Sequence, residues 1–115
     1  MSCVFCQIIK KELPSETVFE DDNLIVFKDI KPSAPIDLLV VSKKHIKSLI
    51  VMEKQDNSLL KEMVWQAKLL AVKFDLDQSG YRIFFNCGRG GGQVIDHLHL
   101  HLMGGWNKTP VNNIV

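Results

Sequence analysis

The segment from His97 to Met103 alternates without interruption: histidine stands at 97, 99 and 101, leucine at 98, 100 and 102. Side chains on a β-strand point to opposite faces in turn, so the pattern predicts a strand over 97–103 with leucines on one face and imidazoles on the other. A helix, with its period of 3.6 residues, would mix the two types on each face. The leucine face needs an apolar cover. The histidine face, with alternate residues about 6.6–6.8 Å apart along the strand, is expected to line an open surface.

A cover is legible upstream. From Asn57 to Phe74 the residues Leu59, Leu60, Met63, Val64, Ala67, Leu70, Ala71 and Phe74 recur at helical spacing, with Lys61, Glu62 and Lys68 between them. This predicts a long amphipathic helix whose stripe packs on the core. Strands are predicted over Glu16–Glu20 and Leu24–Lys28, joined as a hairpin through Asp21-Asp22-Asn23. Ile36–Val41 reads as a buried strand interrupted by Asp37, and Tyr81–Asn86 as a further strand after Gly80. A short opening helix is predicted over Cys3–Lys11, with Phe5, Ile8 and Ile9 on one face and Pro14 as its stop. Strands on both sides of one long helix, linked by hairpin-length turns, favour an antiparallel α+β sheet over a parallel one.

The 115 residues predict a single domain over 1–115 that buries its core without disulfide staples. A net charge of +1 is too balanced to point to nucleic acid or a membrane surface as a partner. Met1 to Leu13 has its lysines after the apolar stretch, the wrong order for a secretory leader, and no apolar run reaches membrane length. Three cysteines argue against a disulfide framework and suggest free thiols in a reducing cytoplasm.

Three of the four histidines fall within five residues. Packing does not require such a row. It suits a metal site, or phosphate chemistry in which one imidazole attacks phosphorus while its neighbours donate hydrogen bonds to oxygen; a His-rich solvated face is the plain alternative. The preceding loop, Asn86-Cys87-Gly88-Arg89-Gly90-Gly91-Gly92-Gln93, lacks the ending of a P-loop and the spacing of a dinucleotide fingerprint. Glycines there let backbone amides approach an anion, and Arg89 is either a phosphate ligand or a solvated loop residue. Cys3-x-x-Cys6 has metal-ligand spacing, open between redox, zinc and chance; no βαβ pattern surrounds it to favour the redox reading.

The run His97-Leu98-His99-Leu100-His101-Leu102-Met103 resembles the signature of the histidine-triad (HIT) superfamily. Phe27-Lys28-Asp29-Ile30, Lys43-Lys44-His45-Ile46, Gly80-Tyr81-Arg82, Asn86, Gly92-Gln93 and Gly104-Gly105 extend the likeness from Cys3 to Gly105, and Gly104-Gly105 resembles the Hint branch of nucleoside phosphoramidases. The resemblance implies a HIT-like fold, a sheet of about five strands with one long and one short helix, continued across a homodimer. It implies hydrolysis of purine nucleoside phosphoramidates to the monophosphate and an amine. The nucleophile would be His99 and the intermediate a nucleotidyl-histidine, with no catalytic metal required. By the same resemblance His101 bonds phosphate oxygens, His97 helps hold His99, and Asn86, Gly92 and Gln93 lie near the phosphate. Asp29 would take the ribose hydroxyls, and Phe19, Phe27 and Ile30 the base. Some bacterial relatives bind structural zinc through residues matching Cys3, Cys6, His45 and His97.

The chain departs from Hint at Asp37, where a histidine is usual; a carboxylate there would favour a charged imidazolium nearby. Val94 replaces the serine, threonine or glutamate of many relatives. The segment after Trp106 also differs, and in this family it can reach the partner's active site.

Overall fold

The computed structural model describes residues 3–107. Five strands form one antiparallel sheet: β1 (Thr17–Glu20), β2 (Leu24–Lys28), β3 (Ile36–Ser42), β4 (Tyr81–Phe84) and β5 (His99–Gly104), in the order β1-β2-β3-β5-β4. The helices are a short α1 (Val4–Ile9) and a long α2 (Asn57–Lys73). This is the α+β architecture that the pattern predicts. The tail beyond Asn107, to which substrate preference was tied, lies outside the described residues.

The sheet carries two apolar faces. On one, Leu98, Leu100 and Leu102 meet Leu38 and Val40 beneath Met63, Ala67, Leu70 and Ala71 of α2. Val64 departs from the expected stripe: it is 41% exposed, because the buried face of α2 centres on Ala67 and turns it outward. On the opposite face Ile25, Phe27, Leu39 and Val41 pack against Phe5, with Ile8 and Ile9 beside it. Helix α1 therefore lies over the histidine side of the sheet.

Several boundaries differ from the sequence reading. Helix α1 stops at Ile9, and Lys11 adopts φ 64°, so a left-handed residue ends the helix before Pro14 is reached. Strand β4 stops at Phe84, and the Gly-rich loop begins to turn at Asn86. The last strand begins at His99, not His97. His97 instead sits in a crossing segment, where Leu98 N–H donates to the Ile46 carbonyl at 2.7 Å.

Candidate active site

Strand β5 places His99 opposite Val41 and His101 opposite Leu39 of β3; Leu39 in turn faces Phe27 of β2. On the other side Phe84 of β4 pairs with His101, and the two rings stack at 4.6 Å. Phe27, Leu39 and His101 of one cross-strand row thus floor a cleft of about 870 Å³, with Phe84 stacked beside His101. Val4, Phe5 and Ile8 of α1 form a wall. Asp29, Ile30 and Lys31 make one rim, and Asn86, Gly92 and Val94 another. The histidine face is therefore roofed, not open as the strand pattern suggested. His97 and His99 are buried, and the Phe5 ring lies edge-on to both, 5.8 Å and 5.1 Å away.

The two rings are held by main-chain carbonyls. His99 Nδ1 donates to the His97 carbonyl at 2.6 Å, and His97 Nε2 donates to the Ser42 carbonyl at 2.6 Å. A carbonyl only accepts, so each bond fixes a tautomer: His99 keeps its lone pair on Nε2 and His97 on Nδ1. Both nitrogens of His101 are buried without a protein partner. Burial lowers the pKa of all three rings, most strongly at His101, where it is pushed down to about 4. The carboxylate that partly counters this at His99 and His101 is Asp29. Asp37 has no such effect, contrary to the charge argument made from sequence: its side chain turns to the Ser33 amide, 2.8 Å away.

The other expected residues divide. Phe27, Asp29, Ile30, Asn86, Gly92, His99 and His101 all line the cleft. Phe19 does not; it packs on the α2 side of the sheet. Gln93 is buried with every side-chain group engaged: it donates to the Lys47 and Ile95 carbonyls and accepts from Gly88 N–H. It braces the Gly-rich loop and is not among the cleft's lining residues. Arg89 is also occupied, bonded to the Gln93 carbonyl and paired with Asp96 at 3.1 Å, so the phosphate-ligand alternative loses support. Sequence reasoning missed the part of α1 in the cleft. Phe5 and Ile8 read correctly as one apolar face, but nothing local says that this face looks onto histidines.

The ring of His97 points away from the cleft into a second cluster. Cys3 caps α1 and Cys6 follows within its first turn, so both thiols emerge on one side of the helix. Cys3 Sγ lies 3.3 Å from His97 Nδ1, Cys6 Sγ 3.3 Å from His45 Nδ1, and the two Nδ1 atoms 3.1 Å apart. All four donor atoms fall within 4.8 Å of one another and could bind a metal ion. Tetrahedral zinc with two sulfur and two nitrogen ligands spaces its donors by roughly 3.3–3.8 Å. The separations of 3.1–3.3 Å are near that spacing, the widest exceeds it, and the two-sulfur, two-nitrogen donor set is of the type that ion takes.

Comparison with known proteins agrees with this architecture. Residues 2–114 match the family described as scavenger mRNA decapping enzyme C-term binding. Protein HitA of Neisseria gonorrhoeae is 41% identical over 110 residues, covering 96% of this chain and 98% of HitA. The crystal structure of a HIT family hydrolase from Legionella pneumophila superposes with a TM-score of 0.91 at 44% identity, covering 94% of this chain and 96% of that one. A histidine triad nucleotide-binding protein from Candida albicans gives a TM-score of 0.80 at 31% identity, covering 96% and 87% of the two chains. The fold is thus shared with these proteins, and the chain belongs to the histidine-triad (HIT) family.

Proposed function

We propose that the protein is a nucleotide hydrolase of the Hint type, which cleaves the P–N bond of purine nucleoside 5′-phosphoramidates. The observation that carries this reading is the bond from His99 Nδ1 to the His97 carbonyl, because it leaves the Nε2 lone pair as the free nucleophile. Burial keeps the ring neutral near neutral pH, the form that can attack. His99 Nε2 forms a bond to the α-phosphorus, the P–N bond breaks, and the amine leaves with a proton taken from solvent, which the water of the second step returns. Water then attacks the same phosphorus, releases the nucleoside monophosphate and restores the imidazole. His101 is neutral, so it offers one N–H to a phosphate oxygen, and its unpartnered nitrogens suit that task. Asn86 holds the Gly-rich loop beside this position through the Gly91 carbonyl at 2.8 Å, and the Gly91, Gly92 and Gln93 amides are taken by carbonyls of the loop itself. Asp29 takes the ribose hydroxyls, and Phe27 and Ile30 the base, Ile30 being 92% exposed at the rim.

The Cys3, Cys6, His45, His97 cluster is assigned structural zinc. Bound there, zinc supplies a tie between α1 and the sheet, and none of the steps above draws on it. The protein is read as a homodimer: β4 is a sheet edge, Ile83 on it is exposed, and Trp65, Leu69 and Val72 form an exposed apolar row on α2. A cytoplasmic location is read from the cysteines, none of which is in a disulfide.

The test is turnover of adenosine 5′-phosphoramidate by the protein and by His99→Ala, beside a dinucleoside polyphosphate. The substitution is expected to lower the rate at least about a thousandfold. Binding of adenosine monophosphate without turnover by the unaltered protein would replace the enzyme with a nucleotide-binding module. Faster cleavage of the polyphosphate would move the substrate class.

A further inference from the structure

The connection between β2 and β3 supplies the rim that carries Asp29, Ile30 and Lys31. Two amides of this loop end on one residue of β3. Asp29 N–H donates to the Asp37 carbonyl at 3.0 Å, and Ser33 N–H donates to Asp37 Oδ2 at 2.8 Å. Inside the loop Asp29 Oδ1 accepts Lys31 N–H at 2.9 Å, which leaves Oδ2 for a ligand.

Asp37 is only 4% exposed and lies outside the cleft's lining residues, in a strand that is otherwise apolar up to Ser42. Its Oδ1 is buried without a partner. Burial pushes the carboxyl above its usual range, and the Ser33 amide only partly counters it. Such a group costs stability, and a leucine or valine would fill the place more favourably. What the aspartate alone supplies is an acceptor for the Ser33 amide. Its backbone and side chain together clip both ends of the Asp29–Ser33 segment.

We propose that Asp37 is a positioning residue for ribose recognition: by clipping the loop it holds the Asp29 carboxylate where two vicinal hydroxyls can reach it, and so sets the preference for ribonucleotides. The inference rests on the reading of Asp29 as the ribose ligand.

The experiment measures the affinities of adenosine monophosphate and its 2′,3′-dideoxy analogue, by calorimetry, for the unaltered protein, Asp37→Ala, Asp37→Asn and Ser33→Pro. The unaltered protein is expected to favour the ribonucleotide about tenfold or more, the worth of a hydrogen bond to a charged group. Asp37→Ala is expected to bring the two within about twofold by freeing the loop, whereas Asn, which still accepts the amide, keeps most of the preference. Ser33→Pro removes the donor and leaves the buried position untouched, so it must lose the preference too, and it decides the matter should the alanine variant not fold. Equal weakening of both nucleotides with an unchanged ratio means a merely structural role and overturns the inference. So does an Asn variant as indifferent as Ala. If the unaltered protein itself binds both equally, the ribose reading of Asp29 fails first, and the inference falls with it.

Discussion

His97 and His99 each bond a main-chain carbonyl, but through opposite nitrogens, Nε2 in one and Nδ1 in the other. Neighbouring rings of one sequence motif therefore send their lone pairs to different places: the cluster with Cys3, Cys6 and His45, and the cleft. His97 still holds His99, through its carbonyl and not through its ring. His101 has no such tether and relies on the Phe84 stack at 4.6 Å. Its pKa of about 4 has a consequence for stability. The unfolded chain protonates this ring near pH 6.5, the ordinary value, so below that pH the unfolded state holds more protons. Stability is complete above about pH 6.5 and falls as the pH is lowered toward 4, by up to about 1.4 kcal/mol per pH unit for one such ring. Urea midpoints between pH 7.5 and 4.5 check this, and His101→Asn is expected to flatten the decline. An identical slope in the variant would assign the acid sensitivity elsewhere.

At the scale of elements, α1 has two jobs that its six residues could not sustain alone. An isolated helix of that length is unstable in water, so it needs external ties. One tie is Phe5, buried against Phe27 and the two histidines. The other is the thiol pair at its start, which reaches His45 and His97. A metal held there binds the folded chain, where all four donors converge, more tightly than the unfolded one, and stabilises it by mass action. Treatment with a strong chelator is expected to lower the melting temperature by on the order of 10 °C and to speed amide exchange in α1 more than in α2. Elemental analysis finding no zinc, with a melting temperature indifferent to chelator, would contradict the assignment. The stripe on α2, the hairpin β1–β2 and the leucine face of β5 were all readable in sequence, because periodicity is a local property and the buried faces obey it. Val64 misled because a stripe of period 3.6 is wider than the surface that the sheet presents to it.

Among the described residues, an apolar row on α2 is left uncovered by the chain's own packing. Trp65 is 58% exposed, with Leu69 and Val72 following at i+4 and i+7 on α2, and Ile83 is exposed on edge strand β4. A second copy meeting this surface would extend the sheet edge to edge and bury the row on α2. Trp65→Glu places a charge in the middle of that contact. Sedimentation is expected to show a dimer for the unaltered protein and a monomer for the variant at micromolar concentration. A monomer in both cases would remove the dimer from the account. Among the described residues no helix is long and apolar enough to cross a membrane.

Alternation and helical spacing by themselves determined the course of α2 and of β5 from His99 on, most of the residues that face the core, and that His99 and His101 share the other face. These follow from the geometry of a few consecutive residues. Only the tertiary structure decided which imidazole does what. Seen along the strand, His97, His99 and His101 are equivalent. They become different through Ser42, 55 positions away from His97, and through Cys3, 94 positions away. The same holds for Gln93, whose amide is consumed by a carbonyl 46 positions distant, and for Phe5, whose apolar face covers the histidines of the motif and not its leucines. Such partners are chosen by how the elements pack, and no local pattern encodes them.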